Sequence, residues 1–315
     1  EIISNDNYSD KLFWRLWKSK ESDNGLWKKK SFARYYRFFQ SAHSKLDRFK
    51  RIKIQTTPKS ANLSYGYFIS DTTFESPKKA PFLIKQYAFS YTQNLSVDYL
   101  NSKNLEFPYR NFVFQSNCDL NNQKSNIPFT YQLANNLKSD WGFQSLDSKN
   151  SLIGDEKTYK HLYFFSHGYV DSLLFTHDYN YKSQDIVNQN YILACGEKIS
   201  IGEVDSTNIR GELVILSNCN SGKGYVDPNA SKIDLSKFFL KNGSHTIVSS
   251  LSEIDDQSTS IILRDFIKYL SDGEYPSLAL KRAKLNFLDN IKDPAQYDGI
   301  YWAGLIISGL DKPIE

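Results

Sequence analysis

Two short motifs, each closing an apolar run, place a histidine and a cysteine 52 positions apart. The first is Tyr163-Phe164-Phe165-Ser166-His167-Gly168. The second is Leu213-Val214-Ile215-Leu216-Ser217-Asn218-Cys219-Asn220-Ser221-Gly222. Runs this short and this apolar read as buried strands of a parallel sheet. Such strands end at one sheet edge, where open α/β sheets assemble their chemistry. A thiol needs a base to become a nucleophile near neutral pH, and imidazole is the side chain best matched to that task. The pair predicts cysteine-protease chemistry, with Cys219 as nucleophile and His167 as general base, then acid to the leaving amine. The competing readings are a buried inert thiol and a structural histidine at a strand end. Asn-Ser-Gly after Cys219 favours an exposed turn and the catalytic role. Cys118 and Cys195 lack such surroundings and read as structural. His161 and His167 would lie roughly 20 Å apart on an extended strand, and His177 falls in a loop with no carboxylate set. Neither a metal nor a cofactor is expected.

The elements that must carry these residues follow from hydrophobic period and turn chemistry. Residues 9–20 and 31–50 read as amphipathic helices, the first with Asp10 as N-cap. From about residue 63 the period turns strand-like, over 63–70 and again over 82–91. Residues 112–115 form another short apolar run, 128–137 look helical, and 152–156 lead into the strand ending at His167. Residues 169–191, rich in Asp, Asn, Tyr and Ser, read as a long loop. A hairpin is expected around Gly196, between 191–195 and 198–201. After Cys219, residues 235–241 are helical and stop at Asn242-Gly243. Then come a strand over 245–251, helices over 258–270 and 276–288, and a last strand over 301–307. That alternation is the rhythm of a βαβ sheet.

Bulk properties set the limits. The 315 residues have room for one large domain or two small ones, and 21 Tyr and 21 Phe can build a substantial core. No apolar run approaches the roughly 20 residues that span a bilayer, and no signal peptide opens the chain. Three cysteines argue against a disulfide framework and for a reducing, cytoplasmic setting. Methionine is absent, even at position 1. The chain is therefore expected to be the carboxyl-terminal part of a longer protein, or one with a trimmed start. Residues 1–60 hold 15 Lys and Arg against 6 Asp and Glu, while the remainder holds 24 against 29. A basic aromatic arm of this kind is either a solvated helix face or a nucleic-acid contact acting indirectly on the chemistry.

The order of four motifs resembles the CHAT proteases of the caspase–separase clan. These are Ser166-His167-Gly168, Leu216-Ser217-Asn218-Cys219-Asn220-Ser221-Gly222, Ser249-Ser250-Leu251-Ser252-Glu253-Ile254-Asp255-Asp256 and Tyr301-Trp302-Ala303-Gly304. The resemblance covers about residues 60–310. It implies a caspase-like α/β fold: a mostly parallel sheet flanked by helices, with a pseudo-caspase N-terminal half and a short helical extension. The implied divisions are 1–60, 61–150 and 151–315. Many members have Ala-Cys-Glu-Thr-Gly where this chain has Asn218 to Gly222, and a Trp where it has Ser252. By the resemblance, the backbone N–H groups of Gly168 and Cys219 form an oxyanion hole. Ser250, Leu251 and Ser252 would pair with an extended substrate by strand addition. Asp255 and Asp256 either line a pocket for a basic side chain or cap the helix that follows. The expected function is a regulated bacterial cysteine endopeptidase that cuts specific protein partners, controlled by an upstream helical repeat or an activating protein. The alternative is a silent caspase-like module that holds a protein in its groove.

Overall fold

The computed structural model describes residues 50–55, 82–92, 107, 111–115, 127–146, 148–152, 158–169, 191–194, 197–207, 209–222, 225–226, 232–297 and 301–314. The first half supplies β1 (Arg51–Gln55), β2 (Ala88–Thr92), β3 (Asn111–Gln115), α1 (Pro128–Trp141), β4 (Gln144–Leu146) and α2 (Lys149–Leu152). Next come β5 (Thr158–Phe165), β6 (Gly168–Tyr169), β7 (Tyr191–Ala194), β8 (Glu197–Ser200), α3 (Ile201–Ser206) and β9 (Arg210–Ser217). The remainder holds β10 (Tyr225–Val226), β11 (Lys232–Ile233), α4 (Leu235–Lys241), β12 (Thr246–Ser250), α5 (Asp256–Ser271), α6 (Pro276–Asp289) and β13 (Leu305–Gly309).

Eight of these strands form one sheet in the order β1-β2-β13-β12-β9-β5-β3-β4. Neighbours are parallel throughout except at β12 and β13, which pair antiparallel. The fold is thus α/β, with a mostly parallel sheet flanked by helices. Its inner strands are apolar on both faces because both faces are covered. Tyr163, Phe165, Leu213, Ile215 and Val248 join the core under α1, α5 and α6. Leu162, Phe164, Val214, Leu216 and Ile247 join the one under α3 and α4. Burying each such side chain contributes about 1.5–3 kcal/mol.

The strands before residue 150 join both edges of this sheet, β2 beside β13 and β3 beside β5. The strands of residues 51–146 are therefore continuous with those of residues 158–309 through hydrogen-bonded pairing. The helices expected at 9–20 and 31–50, the strand at 63–70, Cys118, His177, Cys195 and residues 170–190 lie outside the described residues. Elsewhere the structure shifts three expectations. Residues 83–85 form a 3-10 turn ahead of β2 rather than one strand over 82–91. Residues 301–304 make a turn, so the last strand starts at Leu305. The helix α3 had no counterpart in the periodicity. Its signal is a capping box, in which Ser200 accepts from the Glu203 N–H while Glu203 accepts from the Ser200 N–H.

Lys284 of α6 is buried, and its Nζ donates to the Leu305 carbonyl at 2.6 Å and the Ala303 carbonyl at 3.5 Å. Burial pushes its pKa down from 10.5 to about 7. The unfolded chain then holds this proton more tightly than the folded one, so stability should rise as pH climbs from about 7 toward 10. Lys284→Met should remove that rise. Urea midpoints at neutral and alkaline pH measure it, and identical pH dependence in both proteins would clear Lys284 of the effect.

Candidate active site

The site is built at the tips of β5 and β9. The two strands pair in parallel from Thr158↔Arg210 to Phe165↔Ser217. His167 lies two residues past the last pair on one strand, and Cys219 two residues past it on the other. Both residues are half-buried. With strands about 4.8 Å apart, this register brings the two tips together. Gly168 seals the approach. A Cβ there would sit 2.8 Å from Asn218 Cβ and 2.9 Å from the Cys219 carbonyl oxygen, closer than side chains pack. Only glycine lets the two chains touch at this point.

After Cys219 the chain turns sharply at Asn220, whose φ of 59° is the one positive value at a non-glycine residue among the described residues. Asn tolerates the left-handed region better than most residues. The turn is tied down by Ser221, whose N–H donates to the Asn218 carbonyl at 3.3 Å and whose Oγ donates to the Leu216 carbonyl at 2.9 Å. It is then laced to the end of β12. The Asn220 N–H donates to the Ser252 carbonyl at 3.0 Å, and the Gly222 N–H to the Ser250 carbonyl at 2.7 Å. In return the Ser250 N–H donates to Ser221 Oγ at 2.9 Å.

The other side of this segment leans on the turn before β13. The Leu251 N–H donates to the Gly304 carbonyl at 2.9 Å. Trp302, buried edge-on to Phe82 at 4.9 Å, anchors that turn through its indole N–H to the Tyr297 carbonyl at 3.2 Å. The Ser252 N–H donates to Ser250 Oγ at 3.3 Å. Ser250, Leu251 and Ser252 therefore flank the turn that follows Cys219, but their N–H groups and two of their carbonyls already have partners. An added substrate strand would meet an edge that is already paired.

Cys219 Sγ lies 3.9 Å from the Ile254 carbonyl oxygen. Burial pushes its pKa up, and the Glu253 carboxylate adds to the rise, while backbone hydrogen bonding at Ile254 and at Cys219 itself offsets part of it. Glu253 is exposed, and its carboxylate has no hydrogen bond or ion pair among the described residues. Sequence reasoning passed over it in favour of its two acidic neighbours, and those two have other duties. The Asp255 carboxylate accepts from the Ser258 N–H at 2.8 Å, capping α5. The Asp256 carboxylate accepts from the Phe129 and Thr130 N–H groups at 3.0 and 3.1 Å, and from Thr130 Oγ1, capping α1. Asp255 thus caps the helix that follows it, whereas Asp256 caps a different helix, α1. His161 is apart from the site, half-buried, with Nδ1 2.8 Å from the Tyr163 hydroxyl. Its pKa is pushed down to about 4, mainly by burial. No group of three His, Cys, Asp or Glu side chains fit for a metal occurs among the described residues.

A family model described as CHAT domain matches residues 72–310. No curated protein matches the sequence. The structure is similar to that of the Arg-specific cysteine proteinase gingipain R (RgpB), with a TM-score of 0.50 and 8% identity over 93% of this chain and 70% of that one. It is also similar to the complex of Porphyromonas gingivalis RgpB pro- and mature domains, with a TM-score of 0.46 and 9% identity over 90% of this chain and 69% of that one. At the identity of the first, the likeness shows a shared caspase-like α/β fold and carries no residue assignments.

The carboxylate beside the thiol makes a direct prediction. Glu253→Gln removes a charge that disfavours the thiolate, so the pH midpoint for alkylation of Cys219 by iodoacetamide should move down. Site-resolved mass spectrometry reads that midpoint. An unmoved midpoint would mean that solvent screens Glu253 from the sulfur.

Proposed function

The chain belongs to the CHAT domain family, and from that premise we propose that it is a regulated cysteine endopeptidase working through His167 and Cys219. The observation that carries the reading is the shared register of β5 and β9, which delivers an imidazole and a thiol to adjacent strand tips. His167 takes the thiol proton, and the sulfur attacks the scissile carbonyl. The oxyanion is met by the backbone N–H groups of Gly168 and Cys219. His167 then gives the proton to the leaving amine, and water, activated by the same imidazole, releases the acyl group and restores the thiol.

Two features support regulation. Burial and the Glu253 carboxylate raise the thiol pKa, and the groove edge is closed by its own hydrogen bonds. An upstream helical repeat or an activating protein that shifts residues 252–254 would free the Ser252 carbonyl for a substrate strand and relieve the thiol at once. Nucleic acid enters this scheme only indirectly, through such an activator. Among the described residues no helix is long and apolar enough to cross a membrane. A cytoplasmic site of action without membrane attachment completes the proposal.

The uncommitted carboxylate at the lip of the site favours a basic side chain before the cleaved bond. That preference, one of the two readings given to Asp255 and Asp256 under the resemblance, passes to Glu253. A second reading, a silent module that grips a protein without cutting it, is favoured by the raised thiol pKa alone.

Incubating the wild type and Cys219→Ala with a diverse denatured-protein mixture, then reading new termini by mass spectrometry, tests the proposal. Wild-type cuts after Lys or Arg that vanish in Cys219→Ala are expected. Cuts surviving in the variant would end the role of Cys219. Silence from both, with no selective labelling of Cys219 by a thiol probe, would favour the silent module. Glu253→Gln should lower kcat/KM for peptides with a basic residue before the cut by about fivefold, the worth of a solvent-facing charge pair. Peptides with a neutral residue there should not lose rate.

A further inference from the structure

We propose that Asn218 is a positioning residue, a side-chain clamp that locks the strand end carrying His167 to the strand end carrying Cys219. The inference rests on the dyad reading above and deepens it. Asn218 immediately precedes the nucleophile, and Ser166 immediately precedes the base. The Asn218 Nδ2 donates to the Ser166 carbonyl at 2.9 Å and also meets Ser166 Oγ. The backbone ladder between these strands ends one residue earlier, at Phe165↔Ser217. The carboxamide therefore supplies the next cross-strand bond at the point where the main chain stops supplying them.

Three further features point to this use. A backbone carbonyl only accepts, so the contact with Ser166 fixes the amide orientation, with nitrogen toward the neighbouring strand. Asn218 Oδ1 is then left buried with no partner among the described residues, on a side chain only 1% exposed. An apolar residue would avoid that orphaned acceptor, so the retained amide is accounted for by what its NH2 group does. Finally, the close approach of Gly168 to Asn218 Cβ holds the clamp from the other side.

A double-mutant cycle tests it. The alkylation rate of Cys219 by iodoacetamide is measured across pH, by mass spectrometry of its peptide, in wild type, His167→Ala, Asn218→Ala and the double variant. In the wild type, loss of His167 should slow alkylation at neutral pH by about tenfold, within the coupling seen between residues in contact. With Asn218→Ala, the same loss should matter by less than about twofold. Asn218→Leu, close in size but without the donor, should behave as Asn218→Ala does, which keeps the test available if the smaller side chain prevents folding. A merely structural Asn218 would lower the melting temperature yet leave the His167 effect at full size, and that result overturns the clamp. No effect of His167→Ala in the wild type would instead remove the dyad, and the clamp with it.

Discussion

Everything at this site hangs on one register, that of β5 against β9. The strands are buried on both faces, so each side chain has an assigned core to fill. Leu162 and Phe164 belong to one core, while Tyr163 and Phe165 belong to the other. Slipping the pairing by one residue would exchange these sets and empty both cores. The packing therefore fixes the pairing to Phe165↔Ser217. His167 and Cys219 inherit their register from it. In this architecture the hydrophobic interior sets the pairing of the two strands, and the polar contacts at their tips act on a register already fixed.

The same rigidity constrains the groove. The segment from Ser250 to Ile254 is held from two sides, by the nucleophile turn through Ser250 and Ser252 and by the Trp302 turn through Leu251. A further tie comes from Gly304, where a Cβ would fall 2.7 Å from Ser252 Oγ and 3.1 Å from Ile254 Cγ2. Moving residues 252–254 thus cannot be a local event. It must involve either the turn carrying Cys219 or the helices that begin at Asp256 and Pro128, since Asp255 caps α5 and Asp256 caps α1. A carboxylate at the start of one helix that satisfies the orphan N–H groups of another couples the two helix ends directly. Any signal reaching α1 has a short mechanical route to the thiol.

Much of this was readable in the chain. The apolar runs ahead of His167 and Cys219 gave the central strands, because doubly covered parallel strands lose the alternation of half-exposed ones and become continuous hydrophobic stretches. The helix at residues 276–289 announced itself by Pro276 at its first position, and α4 by its Asn242-Gly243 stop. What stayed hidden depended on distant partners. Nothing local says that β13 runs antiparallel to β12, or that β2 and β3 should go to opposite edges. Such facts follow from which surfaces remain uncovered once the centre has formed. The clamp at Asn218 was hidden for the same reason, since its partner Ser166 lies 52 residues upstream.

The acidic cluster shows most clearly where sequence reasoning reached its limit. Glu253, Asp255 and Asp256 are nearly adjacent, and composition alone makes them interchangeable sources of negative charge. Geometry separates them by what else each must do. Asp255 and Asp256 stand at a helix start, where short carboxylates accept backbone N–H groups better than solvent-facing ones accept cations. Their charge is spent inside the protein, on helix termini. Glu253 precedes the helix by three residues, carries the longer side chain, and lies on the exposed stretch between Ser252 and Ile254, both in contact with the nucleophile turn or the thiol. Its charge has no internal claimant, so its field falls on the sulfur and on whatever the groove receives. The carboxylate that adds to the burial-driven rise in the thiol pKa would, on the proposed reading, also attract a basic side chain, and arrival of that cation would offset its share of the rise while the larger share, from burial, stayed in place.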